Sequence, residues 1–507
     1  MRLIRIALAH VNTTVGATKS NVDRAIAAAR AACADGATIV VFPEQTIGGY
    51  MQEDLVQWRA FVEAQWRELE RFAAETQSLD SALAIGCTVA QGAQLYNSAV
   101  LVHRGQILGV VPKEKLPTYN VFYEGRTMAH GAPGLRGAVG DVPFGDLIFD
   151  FDFGAVALEM CEDAWSPEGP MRRRCFAGAE IVLNLSASPF RVGIHETRRE
   201  MIATRSADNE CVVAYSNLIG GNDGLVFDGG GIIAQDGRIV LEPARFCEGF
   251  AAATIDLDRT RRLRLENTTW RTDEQASGPT VVRKIESPSA PSRAKLVYPS
   301  PAGSSFFLPA SESTRPVRVS FCEDLLDALS LGLGDYFEKT GAFKRIGVAV
   351  SGGRDSLLAL WIAHRYVTRK FAGEGKSKIA AKIAEILRAF YLPSRFSSNE
   401  TRTAAVATAK ELGAPLTISP IDDAFDREAL AMKEMLQPGE ELTPLARQNI
   451  QARIRAERMW TWANATAGLY VQTSNMSEKS VGYTTIGGDM EGALSVIANV
   501  PKTVVNY

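Results

Sequence analysis

The chain reads as an α/β protein with stacked β layers flanked by helices in its first half and a doubly wound parallel sheet in its second. At 507 residues it exceeds what one hydrophobic core supports, so more than one domain is expected. In the first half short apolar runs alternate with helical patterns. In the second a strand, a glycine-rich turn and a helix follow one another, the order of a doubly wound α/β sheet with its ligand at the strand's carboxyl end.

The first element is a strand over residues 3–9; Arg2, Arg5 and His10 bracket an apolar stretch too short for a secretory leader. A helical pattern occupies residues 21–34. Further apolar runs at 38–42, 99–102, 107–112, 156–158 and 181–184 are strands. This domain is expected to cover residues 1–258. Residues 259–320 are rich in Arg, Ser and Pro, as in Ser287-Pro288-Ser289-Ala290-Pro291-Ser292, and are expected to form an extended linker. The second domain, 321–507, opens with a helix over 323–340, a strand over 346–350, the turn, and a helix over 356–370.

Apolar residues are 46% of the chain and charged residues 22%, with 55 basic against 58 acidic side chains. Nothing in that balance suggests a nucleic-acid or membrane surface, and no window is long and apolar enough for a membrane span. The seven cysteines are scattered without metal-ligand spacing, so they are expected to be reduced thiols in a cytoplasmic protein.

Six of them fit an inert buried role, but Cys161 stands out. It directly follows the apolar run Ala155-Val156-Ala157-Leu158-Glu159-Met160 and precedes Glu162, Asp163 and Trp165, so its sulfur is expected where a strand leaves the core. A thiol nucleophile there needs a base for its proton and a cation for the oxyanion. Two strand ends could supply them: Glu44 after Val40-Val41-Phe42-Pro43, and Lys113 after Ile107 to Pro112. Solvated charges at strand ends are the alternative reading.

Together these segments resemble the nitrilase superfamily: Phe42-Pro43-Glu44, Lys113-Glu114-Lys115-Leu116-Pro117, Val121-Phe122-Tyr123-Glu124 and Glu159-Met160-Cys161-Glu162-Asp163-Ala164-Trp165. The resemblance implies a nitrilase-like α-β-β-α sandwich with Glu44 as general base, Lys113 as oxyanion stabiliser and Cys161 as nucleophile. Lys113 is preferred to Lys115 because the family's lysine stands three before the leucine. Glu124 is implied as a supporting carboxylate. The Cys-Glu-Asp-x-Trp pattern and Asn184-Leu185-Ser186-Ala187-Ser188-Pro189-Phe190 are similar to the glutaminase branch, implying that Glu162, Ser188 and Tyr119 meet glutamine. One departure is Gly193-Ile194-His195, where family members often carry a lysine.

In the second domain, Ser351-Gly352-Gly353-Arg354-Asp355-Ser356 follows a strand. Paired glycines let backbone N–H groups converge on phosphate, serines add donors, and the next helix presents its positive end. Asp355 would repel phosphate unless a cation intervened, which suggests Mg²⁺. Gly373-Glu374-Gly375-Lys376-Ser377 lacks the leading glycine of a Walker loop, and Gly332-Leu333-Gly334 follows no strand.

The turn resembles the PP-loop of ATP pyrophosphatases, whose fold is adenine nucleotide alpha hydrolase-like; Arg354 is unusual at its variable position. The loop alone leaves the acceptor open among several amidotransferases. Tyr391 to Ser398, Asn449 to Arg455 and Thr473 to Met490 are similar to the NAD⁺ synthetase family. That resemblance implies ATP contacts at Ser351, Gly352, Gly353, Asp355, Ser356, Arg453, Thr473 and Lys502. It also implies Mg²⁺ on Asp355 and Glu478, and a deamido-NAD⁺ contact at Asp489.

The implied activity is glutamine-hydrolysing NAD⁺ synthesis, with glutamine, ATP and deamido-NAD⁺ as substrates in a homo-oligomer. A sheltered passage for ammonia is expected, though the sequence shows none. The family usually continues beyond Pro501-Lys502-Thr503-Val504-Val505, so the synthetase domain is expected to lack its C-terminal part. Another PP-loop amidotransferase is the first alternative. A shortened chain limited to glutaminase activity or to nucleotide binding is the second.

Overall fold

The computed structural model describes residues 2–287 and 317–506, with side chains described from residue 321 in the second stretch. The chain divides into two compact units, Met1–Val317 and Arg318–Tyr507.

Two sheets form the centre of the first unit. One has eight strands in the order Gly249–Asp256, Leu3–His10, Ile39–Val41, Ala82–Gln91, Gln94–His103, Gln106–Pro112, Val142–Gly145, Arg136–Val139. The other has seven, in the order Arg238–Leu241, Gly231–Gln235, Val212–Asn217, Ile181–Ser186, Gly154–Met160, Leu147–Phe151, Arg283–Glu286. Strand alternation explains the layering. Ile4, Ile6 and Leu8 point into a core shared with Leu158, Leu183 and Leu185 of the other sheet. Ala7 and Ala9 point the opposite way, toward Val22 and Ile26 of helix Thr18–Ala34 and Leu69 and Phe72 of helix Arg59–Glu75. A third cluster packs Ala157, Val182 and Val213 under Met171 and Cys175 of helix Pro170–Phe176 and Ile202 of helix Ile194–Asp208. The result is an α-β-β-α sandwich.

Gly154–Met160, Ile181–Ser186 and Val212–Asn217 run parallel, in register Leu183↔Leu158 and Leu183↔Ala214. Covered on both faces, they are fully buried, which is why they read as near-continuous apolar runs. Their carboxyl ends, with those of Ile39–Val41 and Gln106–Pro112, deliver Cys161, Ser188, Glu44 and Lys113.

The expected linker needs correction. Residues 257–286 contain helices Leu257–Glu266 and Thr268–Ala276, and Arg283–Glu286 pairs in parallel with Leu147–Phe151. The arginine-rich composition misleads because Arg264 is buried. It donates to the carbonyls of Ala179, Asn209 and Glu210, and its guanidinium stacks over Trp270. The proline-serine run from 288 onward lies outside the described residues.

The second unit carries five parallel strands in the order Leu416–Ile418, Leu387–Tyr391, Arg345–Ala349, Gly468–Gln472, Leu494–Ser495. The chain starts at the central strand, winds to one edge and returns to fill the other side. The loop after Arg345–Ala349 therefore lies at the switch point where such sheets bind ligands. Ile346, Val348 and Val350 pack against Ala359, Leu360 and Ala363 of helix Arg354–Lys370. Gly332-Leu333-Gly334 lies within helix Val317–Lys339, and Lys376 and Ser377 open helix Lys376–Ile386, so neither is a phosphate loop.

Candidate active sites

Cys161 sits between strand Gly154–Met160 and the short helix Glu162–Trp165, with φ +39° and ψ −96°. A side chain with positive φ stores backbone strain of order 1 kcal/mol or more, which the surroundings must hold. Here the Cys161 amide donates to Leu185 O at 3.0 Å, tying the turn to the neighbouring parallel strand. The residue is 5% exposed.

Lys113 lies against Glu44, its Nζ donating to Glu44 Oε1 at 2.7 Å and to both Glu124 oxygens at 2.8 Å. All three residues are buried. Asn97 Nδ2 donates to Glu44 Oε1 at 2.7 Å, Tyr50 OH to Glu124 Oε1 at 3.0 Å, and the Ala187 amide to Glu44 Oε2 at 3.0 Å. Burial works against the Lys113 ammonium, but Glu124 and Glu44 outweigh it and hold its pKa well above the usual lysine value. Burial likewise raises Glu124, with Lys113 opposing. Burial and the charge of Glu44 push the Cys161 thiol far up, with Lys113 pulling the other way. The resting nucleophile is therefore a neutral thiol among fixed charges, and it needs a base to act.

Of the implied glutamine contacts, Tyr119 OH donates to Glu162 Oε1 at 2.9 Å. Burial followed by Glu162 raises the Tyr119 hydroxyl to about 12, and burial raises Glu162. Ser188 belongs to a network invisible in the sequence. Its amide donates to Asn217 Oδ1 at 2.8 Å, and Arg198 Nη2 donates to its carbonyl at 2.6 Å. Arg198 is itself buried against Asp228, Nη1 to Oδ1 at 2.7 Å. His195, in the segment that departs from the family, pairs with Glu242. A cavity of about 290 Å³ opens beside Glu124, lined by Gln45, Tyr50, Met51, Gln52 and Arg126 among others.

Asn97, Arg198 and Asp163 escaped the sequence reading. Asn97 left one trace, a polar pair Asn97-Ser98 inside a buried apolar strand. Asp163 was visible as part of the Cys-Glu-Asp pattern, but nothing in the sequence shows which groups it binds.

In the second unit Gly352 has φ +83°, and a Cβ there would run into the Thr401 carbonyl oxygen. The serines close the turn on itself: Ser351 N donates to Ser356 Oγ at 3.0 Å, and Gly353 N to Ser351 Oγ at 3.2 Å. Arg354 turns to Asn506, Nη1 to Oδ1 at 3.0 Å.

Asp355, Glu478 and Lys502 meet: Lys502 Nζ bridges Asp355 Oδ2 and Glu478 Oε1, the latter at 3.4 Å. Asn475 Nδ2 donates to Asp355 Oδ1 at 3.0 Å while its own Oδ1 caps the Glu478 amide. Burial lowers the Lys502 pKa, but Asp355 and Glu478 outweigh it and hold the ammonium charged. Thr473 follows strand Gly468–Gln472, so it and Ser351 stand at the carboxyl ends of adjacent parallel strands. Arg453 donates to the Ile486 carbonyl at 3.2 Å. Burial raises the Asp489 carboxyl, opposed by Arg455, and its backbone carbonyl accepts from Gln472 and Ser474.

Among the described residues no cluster of three or more His, Cys, Asp or Glu side chains could hold a metal by itself. Two carboxylates on one cation form a hard oxygen set that suits Mg²⁺ completed by phosphate oxygens and water. Among the described residues no helix is long and apolar enough to cross a membrane.

The chain matches two families in succession, carbon-nitrogen hydrolase over residues 5–265 and NAD synthase over residues 325–507. It is 32% identical over 505 residues to the glutamine-dependent NAD(+) synthetase of Aquifex aeolicus, covering 99% of this chain and 80% of that one. With the Thermotoga maritima protein of the same name it shares 31% identity over 507 residues, covering 100% of this chain and 80% of that one. A glutamine-dependent NAD⁺ synthetase from Acinetobacter baumannii, solved with adenosine diphosphate, superposes with a TM-score of 0.77 at 25% identity, covering 99% of this chain and 80% of the other. The Cytophaga hutchinsonii protein shares the fold at a TM-score of 0.80 and 23% identity, with the same coverage. Thiol unit and phosphate-loop unit stand in the same order as in these relatives, along nearly the whole chain, and the chain belongs to the glutamine-dependent NAD⁺ synthetase family.

Proposed function

We propose that the first unit releases ammonia from glutamine and that the second uses ATP to place it on deamido-NAD⁺, giving NAD⁺, AMP and pyrophosphate. What supports the first half is the meeting of one ammonium and two carboxylates beside a strained thiol turn. Glu44 takes the Cys161 proton as sulfur attacks the glutamine side-chain carbonyl, which avoids forming a free thiolate in a buried site. Lys113 stabilises the tetrahedral oxyanion. When the C–N bond breaks, Glu44 returns the proton to the departing ammonia, leaving a γ-glutamyl thioester. Water, deprotonated by Glu44, cleaves the thioester to glutamate and restores the thiol. Glu124 holds Lys113 from the far side, while Glu162, Tyr119 and Ser188 meet the amino-acid end of glutamine.

In the second unit the Ser351–Ser356 turn cradles the ATP phosphates. Asp355 and Glu478 would hold Mg²⁺, which would offset phosphate charge. Lys502, beside these carboxylates, would contact the ATP phosphates. Thr473 and Arg453 contact ATP, and Asp489 the pyridine end of deamido-NAD⁺. A nicotinate carboxylate oxygen displaces pyrophosphate from the α-phosphorus, and ammonia then displaces AMP from the acyl carbon. A homo-oligomer in the cytoplasm is the expected setting.

The test is product analysis after incubation with deamido-NAD⁺, ATP, Mg²⁺ and amide-¹⁵N glutamine. Label in the nicotinamide carboxamide is expected. Replacing deamido-NAD⁺ with xanthosine monophosphate or aspartate should abolish pyrophosphate release; release with either would move the second unit to another amidotransferase.

A further inference from the structure

Asp163 is 1% exposed and spends both carboxylate oxygens on backbone. Oδ1 accepts from the amides of Glu114 at 3.1 Å and Lys115 at 2.8 Å. Oδ2 accepts from the amide of Met160 at 3.1 Å. The first two amides follow Lys113, and the third precedes Cys161. The Lys113 side chain is held by Glu44 and Glu124, and its backbone by its amide donating to Asn97 O at 2.8 Å and its carbonyl accepting from Gly131 at 2.7 Å. We infer that Asp163 is a positioning residue that fixes the Lys113 segment to the Cys161 turn, so that the sulfur meets the carbon and the ammonium the oxygen of one carbonyl group.

The inference deepens the thiol-amidase reading and rests on it. Asp163 stands two residues after the nucleophile, on the short helix Glu162–Trp165, and touches neither glutamine nor Lys113 Nζ in this scheme. Its effect passes through backbone amides that belong to separate strand ends. Removing it leaves three N–H groups without this acceptor, those of Glu114 and Met160 buried and that of Lys115 half-buried, and lets the Lys113 segment relax away from the turn. Misplacement of a reacting group by about 1 Å costs on the order of a hundredfold in rate. Because oxyanion stabilisation belongs to the transition state, the loss falls on kcat and leaves KM near its starting value.

Two variants of the full chain test this. Asp163→Asn keeps Oδ1 for Glu114 and Lys115 but turns an amide N–H toward Met160 N–H; Asp163→Ala removes all three acceptors. Glutamate release is measured across glutamine concentrations, with the folded fraction fixed by circular dichroism, and Cys161→Ala is run beside them. Expected are kcat losses of about tenfold for Asn and about a hundredfold for Ala, with KM within about twofold in both. If the Ala variant does not fold, the Asn variant decides. Wild-type kcat per folded molecule, or a loss carried by KM, would overturn the inference. Glutamine hydrolysis surviving in Cys161→Ala would instead overturn the thiol reading, whatever Asp163 does.

Discussion

Glu44 and Lys113 share a buried ion pair at 2.7 Å in which the same carboxylate oxygen also takes the Asn97 amide, leaving the second oxygen with the Ala187 amide. Three fixed donors thus direct the base, two on Oε1 and one on Oε2, which leaves a lone-pair position on Oε2 for the Cys161 proton. Glu44→Gln keeps the shape but loses the proton acceptor and turns an amide N–H toward a donor. Glutamine hydrolysis is expected to fall by roughly a hundredfold to ten-thousandfold, the range assigned to general acid–base catalysis. Steady-state glutamate release checks it, and a loss below tenfold would remove Glu44 from the base role.

Lys113→Met tests the other side of the same pair. Breaking a buried pair by removing one partner costs about 3–5 kcal/mol, because the remaining charge loses its compensation. Here two carboxylates, Glu44 and Glu124, lose one shared cation. The expected outcome is a lower melting temperature for the first unit together with loss of glutaminase activity. Adding Glu124→Gln to Lys113→Met should recover part of the stability and none of the activity. Calorimetric melting of the single and double variants reads the difference.

Sequence reading reached the strand ends because a run of apolar residues that stops at Glu44, Lys113 or Cys161 is a local event. It also reached the switch-point loop, since strand, Gly352-Gly353 and helix are contiguous. Arg198 and Asn97 are different. Their value lies in what folds onto them from distant segments: Asp228 and Ser188 for one, Glu44 and Glu124 for the other. No periodicity encodes such a meeting. Arg264 failed in the opposite direction, its charge suggesting solvent when three backbone carbonyls and the face of Trp270 satisfy it inside the first unit.

Gly352→Ala probes the phosphate loop through backbone alone. With φ at +83° and the Thr401 carbonyl in the path of a Cβ, the substitution strains the turn and moves it. A loss of about 1–3 kcal/mol in stability of the second unit is expected, with ATP binding weakened by at least tenfold. Calorimetric titration with ATP and Mg²⁺ checks this, and unchanged affinity would place the phosphates elsewhere.

Asp355→Asn addresses the metal. In the wild type, ATP affinity is expected to rise when Mg²⁺ is added, because two carboxylates and the phosphates then share a divalent ion. In the variant one charge is gone while Asn475 and Lys502 remain as neighbours. The gain on adding Mg²⁺ should shrink by about tenfold or more, while affinity in chelator stays the same or improves through reduced repulsion. Paired titrations with Mg²⁺ and with chelator separate the two; an undiminished Mg²⁺ effect would exclude Asp355 as a ligand.

Glu159 gives a pH signature of stability that is independent of turnover. It is fully buried beside the nucleophile turn, held by Asn184 Nδ2 at 3.0 Å, and burial followed by the nearby Asp163 raises its carboxyl to about 8. A carboxyl whose pKa is higher folded than unfolded binds more protons in the native state, so stability falls as pH rises between the two values. The unfolded value is near 4.5 and the folded value about 8. The cost is absent below the first, grows by up to about 1.4 kcal/mol per pH unit between them, and levels off above the second. Glu159→Gln keeps an oxygen for Asn184 and cannot ionise. Its melting temperature should lie close to wild type at pH 5 and above it at pH 8, with the gap widening steadily between. A constant gap across that window would mean that Glu159 ionises at its ordinary value and that its burial carries no linked proton.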